Sequence, residues 1–119
     1  MLVSILKNKI ITDIKDDYNV DLTIVCSDGK QYSYYHSQDC CESVRQIKIV
    51  GDINDILNTP ITLAEDDNPG DPDWYKNGYD DSHTWSVLIL ESERGRVEFW
   101  YLGESNGYYG ESMDFEEIL

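Results

Sequence analysis

Apolar and polar positions alternate along most of this chain, and a period of two predicts strands joined by turns. A first strand is expected over residues 9–14, with Asp16-Asp17 as a turn. Residues 20–26 alternate, Ser27-Asp28-Gly29 turns the chain, and residues 32–36 alternate again. Two loop lengths compete at this turn. A two-residue Asp28-Gly29 loop sets Val25 opposite Tyr32 and Thr23 opposite Tyr34. A three-residue loop with Gly29 left-handed sets Ile24 opposite Tyr32, Leu22 opposite Tyr34 and Val20 opposite His36. The second register gives one coherent apolar face, and a buried face selects register.

Residues 43–50 alternate as a further strand. Asp52 is placed to cap a short helix near 52–58, with Ile53, Ile56 and Leu57 as its apolar stripe; Pro60 cannot continue it. Residues 61–64 read as a short strand. Residues 84–90 and 97–102 form the strongest hairpin, where a four-residue loop, Ser92-Glu93-Arg94-Gly95, pairs Leu90 with Val97 and Leu88 with Phe99. Its other face carries Trp85, Val87, Ile89 and Trp100, so this pair is expected to be covered on both sides. Residues 113–119 close the chain as an edge strand or a last helical turn. The expected fold class is α+β: one predominantly antiparallel, strongly curved sheet or half-barrel of about six or seven strands, plus the short helix. A chain of 119 residues fits one domain.

Charge changes the picture more than composition does. Nine bases face twenty-four acids, a formal net charge of −15. Residues 1–50 hold six bases against seven acids, a net −1; residues 51–119 hold three against seventeen, a net −14. Direct binding to nucleic acid or to an anionic membrane is disfavoured, because phosphate contacts need Lys and Arg. A basic partner is favoured. No apolar run approaches the roughly 18 residues of a membrane span. Residues 1–14 lack the pattern of a secretory signal, and the odd cysteines Cys26, Cys40 and Cys41 fit reduced thiols, so a cytoplasmic location is expected.

The acids cluster in a long loop over 65–82, where Glu65, Asp66, Asp67, Asp71, Asp73, Asp80 and Asp81 accompany Trp74, Tyr75 and Tyr79. Glu104, Tyr108, Tyr109 and Glu111 lie in a second, glycine-rich turn region. Carboxylates on a folded scaffold supply a potential like that of phosphates, and Trp and Tyr serve as interface anchors. These residues are therefore the candidate partner-binding set, and the idea requires them to gather on one face. The rival cluster is His36, Cys40, Cys41 and His83, all metal-ligating types, although adjacent cysteines lack the spacing of a zinc site. Catalysis by either cysteine is disfavoured because Asp39 and Glu42 raise a thiol pKa. With so many acids, a catalytic carboxylate pair or a calcium loop has no specific signature. The glycine-rich stretch lacks a phosphate-binding motif. No catalytic residue and no cofactor are assigned.

Three stretches carry a resemblance: Gln38-Asp39-Cys40-Cys41-Glu42-Ser43-Val44, Gly51-Asp52-Ile53-Asn54-Asp55-Ile56-Leu57, and the segment from Tyr101 to Phe115 containing Gly103-Glu104-Ser105-Asn106-Gly107-Tyr108-Tyr109. They resemble a family of small uncharacterised bacteriophage and prophage proteins, over residues 10–115. The resemblance implies a phage accessory protein in the cytoplasm of an infected or lysogenic bacterium. Small acidic proteins of that origin often imitate DNA and inhibit host defence, as anti-CRISPR and anti-restriction proteins do. A non-enzymatic inhibitor of a basic, nucleic-acid-binding host protein is the expectation. A metal-binding protein, or a self-assembling phage component, is the alternative.

Overall fold

The computed structural model describes residues 2–17, 21–37, 43–75, 82–105 and 113–119. Among them run strands β1 (Ile11–Asp17), β2 (Asp21–Cys26), β3 (Gln31–Tyr35), β4 (Ser43–Val50), β5 (Ile61–Asp67), β6 (Ser82–Ser92), β7 (Gly95–Ser105) and β8 (Asp114–Ile118). Single 3-10 turns at Val3–Leu6 and Ile53–Ile56 are the helical elements. All pairing is antiparallel, in two four-stranded sheets of order β1-β2-β3-β8 and β4-β7-β6-β5. The α+β expectation is thus corrected to a β fold of two sheets, not one curved sheet.

The two sheets share one core. Leu22, Ile24, Tyr32, Tyr34 and Phe115 of the first meet Leu88, Leu90, Val97, Phe99 and Tyr101 of the second. Tyr34 and Tyr101 touch edge to face across it, with ring centroids 5.5 Å apart. Tyr32 stacks on Phe115 within the first sheet at 5.4 Å. The β2–β3 register is the one selected by the apolar face, Ile24 opposite Tyr32 and Leu22 opposite Tyr34. Gly29 takes φ +87° in the three-residue loop. The register partner predicted for His36, Val20, lies outside the described residues.

The β6–β7 hairpin also pairs as expected, Leu90 with Val97 and Leu88 with Phe99. Its loop is shorter than expected, because Ser92 and Gly95 are themselves paired and only Glu93-Arg94 turn the chain. Arg94 then reaches back to cap the Ile53–Ile56 turn, donating to the carbonyls of Asn54 and Leu57. Asp52 caps the other end, accepting from the Asn54 N–H at 3.0 Å. The predicted short helix is only this single turn, with Asn58 already at φ +60° before Pro60.

Two further expectations change. β1 starts later than residue 9 and runs through Asp16-Asp17, which was expected to turn. β5 continues past Ala64 through Glu65, Asp66 and Asp67, so the acidic loop begins three residues later than its composition suggests. The register explains this second change. Glu65, Asp66 and Asp67 pair with Ile89, Leu88 and Val87 of the long strand β6, whose backbone groups need partners.

Candidate interaction surface

Strand alternation gives the second sheet two apolar faces. Leu88, Leu90, Val97 and Phe99 face the shared core, and Trp85, Val87, Ile89, Trp100 and Leu102 face outward. The outer face is nonetheless buried, with Trp85 only 1% exposed. Its cover is the segment of residues 68–75. Trp74 packs edge-on against Trp85 at 5.5 Å and Trp100 at 5.4 Å, and Tyr75 packs against Trp85 at 4.8 Å. Lys48 of β4 places its ammonium 4.9 Å from the centre of the Trp74 ring.

Polar contacts pin this strap. The Asn68 side-chain amide donates to the Trp85 carbonyl at 3.0 Å and to Ser86 Oγ at 3.1 Å. One oxygen of Asp71 accepts from Trp85 Nε1 at 2.8 Å and contacts His83 Nε2 at 2.7 Å. An ionised carboxylate only accepts, so Nε2 carries the hydrogen. The His83 contact, then the indole N–H, holds the Asp71 carboxyl below the usual carboxylate range. The rings of Trp74 and Tyr75, both candidate interface anchors, pack against the sheet, and Trp74 remains 38% exposed. The signal in the sequence was the second apolar face of the hairpin, which needs a cover rich in aromatics.

The candidate carboxylates divide. Asp66 faces the core side of β5, where its Oδ1 accepts from the Tyr34 hydroxyl at 3.1 Å. Burial raises the Asp66 carboxyl above its usual range, against the Tyr34 bond, which lowers it; burial likewise pushes Tyr34 up. Glu65 and Asp67 alternate to the opposite face. Glu104 is ion-paired with Arg45 at 3.3 Å, and Arg96 bridges Glu91 at 2.8 Å and Glu98 at 2.9 Å. Asp73 sits exposed on the strap. The first sheet adds its own acids on the face away from the core, Asp13 and Asp21 with Lys15 on the β1–β2 side and Asp114 and Glu116 on β8 at the other edge. The described carboxylates therefore do not share a single face. Tyr79, Asp80, Asp81, Tyr108, Tyr109 and Glu111 lie outside the described residues.

Of the rival metal set, Cys40 and Cys41 lie outside the described residues. His36 ends the first sheet's β3 side and is 9% exposed, while His83 begins the second sheet's β6 and is engaged with Asp71. Among the described residues, no group of three or more His, Cys, Asp or Glu side chains is placed to hold a metal ion. No helix among them is long and apolar enough to cross a membrane.

A groove of about 520 Å³ opens where the Val3–Leu6 turn lies along β5. Leu2, Val3, Ser4 and Ala64 line one part of it and Glu65, Asp66 and Asp67 the other. No curated protein and no solved structure matches this chain. A family model described as Domain of unknown function (DUF7448) matches residues 4–115, almost the whole length, and the chain belongs to that family.

Proposed function

We propose that this protein acts by binding, with the smaller set of carboxylates on the outer, strap side of the second sheet, Glu65, Asp67 and Asp73, occupying a basic surface that on another protein normally holds nucleic acid. The supporting observation is how the bases are used. Lys9 is tied to Asp28 at 2.7 Å, Arg45 to Glu104, Arg96 to Glu91 and Glu98, Lys48 to Trp74, and Arg94 to backbone carbonyls. Among the described residues, no ion pair reaches Glu65, Asp66, Asp67 or Asp73. Five of the nine cationic residues are thus engaged in internal contacts, and the acidic excess of the chain is left largely uncompensated. Such a surface attracts a basic groove over several ångströms and speeds encounter with it. It repels nucleic acid itself and anionic lipid.

The resemblance to bacteriophage and prophage proteins supports a host-defence protein as the partner, a CRISPR effector or a restriction enzyme in the bacterial cytoplasm. No reaction is required of the chain in this reading. The test is affinity capture from bacterial lysate at increasing salt, with a variant carrying Glu65→Gln, Asp67→Asn and Asp73→Asn alongside. The expected result is a basic nucleic-acid-binding protein that elutes as salt rises and that the variant captures poorly. A complex insensitive to ionic strength, or capture of acidic proteins only, contradicts the proposal.

A further inference from the structure

The second sheet ends at β5, and among the described residues the outer edge of that strand is only partly covered. At its start, residues 8–10 lie alongside: Ile10 bridges Pro60, the Asn8 N–H donates to the Ile61 carbonyl at 2.7 Å, and the Ile61 N–H donates to the Lys9 carbonyl at 2.9 Å. From Leu63 to Asp67, no backbone group among the described residues pairs with that edge. An open edge is a template for another strand, and proteins guard such edges with charge. Here the guard is three consecutive carboxylates, Glu65, Asp66 and Asp67. Two copies of this edge laid together would set like charges opposite one another, which disfavours self-pairing. A strand bearing Lys or Arg meets the opposite situation.

We propose that the open edge of β5 and the groove beside it receive an extended, Lys/Arg-bearing segment of the partner as an added strand. This rests on the binding reading above and names the place and chemistry of the contact. Side chains of an added strand alternate in direction, so one set meets Leu2, Val3 and Ala64 while the other meets Glu65 and Asp67. The occupant that fits alternates apolar and basic residues. Leu2, 79% exposed at the mouth of the groove, then finds an apolar neighbour. The outer-edge backbone groups of β5, unpaired among the described residues, hold the segment, and the charges select it.

The experiment is an NMR titration of the full chain with a short peptide of alternating lysine and valine. Two analogues are N-methylated on one or the other set of alternate amides. Only one set of amides on an added strand bonds to β5, so one analogue is expected to lose binding and the other to keep it. Perturbed amides are expected at Leu2–Ser4 and Leu63–Asp67. Glu65→Gln with Asp67→Asn is expected to weaken the peptide roughly five- to tenfold, the scale of two exposed ion pairs. Equal binding of both analogues means the acids attract by charge alone or merely guard the edge, and strand addition is wrong. Shifts elsewhere, or no binding, also overturn it. A captured partner whose basic segments leave β5 unperturbed defeats strand addition while the charge-based reading stands; peptide seating without any basic partner does the reverse.

Discussion

Truncating Trp74 to alanine removes the centre of the strap, and the cost can be worked from its surroundings. A tryptophan buries about 150–250 Å² when fully covered. With Trp74 38% exposed, roughly 120 Å² is withdrawn from water, worth about 3 kcal/mol at about 25 cal/mol per Å². Edge-to-face contacts with Trp85 and Trp100 add about 0.5–1.5 kcal/mol each beyond area. Relaxation of a surface segment recovers part of this, since an exposed strap can settle into the space more readily than a core can. The expected loss for Trp74→Ala is therefore about 2–4 kcal/mol. Urea unfolding followed by far-ultraviolet circular dichroism measures it. The chain has three tryptophans, and all three belong to this cluster, so tryptophan emission excited selectively above the tyrosine absorption reports on it alone. Water reaching Trp85 and Trp100 is expected to shift the remaining emission to the red. An unchanged midpoint with unshifted emission would refute the packing account and return Trp74 to the role of a free anchor.

Three other perturbations test separate parts of the fold. Asp66 has a folded pKa raised by burial, so its ionised form is disfavoured in the folded state; its contribution is fully present below the unfolded carboxylate value and lost as pH rises through the folded one. The stability difference between the wild type and Asp66→Asn should accordingly move against the wild type over that window, and a pH-independent difference contradicts it. The Tyr32 hydroxyl is buried and has no hydrogen-bond partner among the described residues, so Tyr32→Phe is expected to raise stability by about 1 kcal/mol or leave it unchanged in thermal unfolding; a loss of more than about 1 kcal/mol indicates a partner for that oxygen. Gly51 takes φ +100°, and a Cβ there would stand 2.3 Å from the Arg96 carbonyl oxygen, so Gly51→Ala should cost about 2–4 kcal/mol or prevent folding. A wild-type melting temperature in that variant would mean that β7 is placed differently.

What the sequence made legible follows from where physical constraints are local. The β2–β3 register was readable because Gly29 permits a left-handed turn and only one loop length aligns Leu22, Ile24, Tyr32 and Tyr34 on a single face. The β6–β7 register was readable for the same reason, although Ser92 and Gly95 extend the ladder into the expected loop. The helix cap at Asp52 was readable, but its length was not, because Arg94 stabilises one turn from forty residues away. Glu65, Asp66 and Asp67 look like loop by composition, and what makes them strand is the pairing demand of β6. Division into two sheets was invisible in the alternation, since a period of two is the same whichever strand lies next door. The strap was half legible: Trp74 and Tyr75 stood out as aromatic, and the second apolar face of the hairpin asked for a cover, but only tertiary contact joins the two. Asp71 was counted as one more acid, and its bonds to His83 and Trp85 make it a fastening of that cover.

The most direct test of the central claim is a competition. The captured basic partner is titrated with duplex nucleic acid in the presence of increasing amounts of this protein, at several salt concentrations. Mutually exclusive binding is expected, with the protein's affinity for the partner falling as salt rises. Formation of a ternary complex of protein, partner and nucleic acid, with undiminished affinity for each, would contradict it.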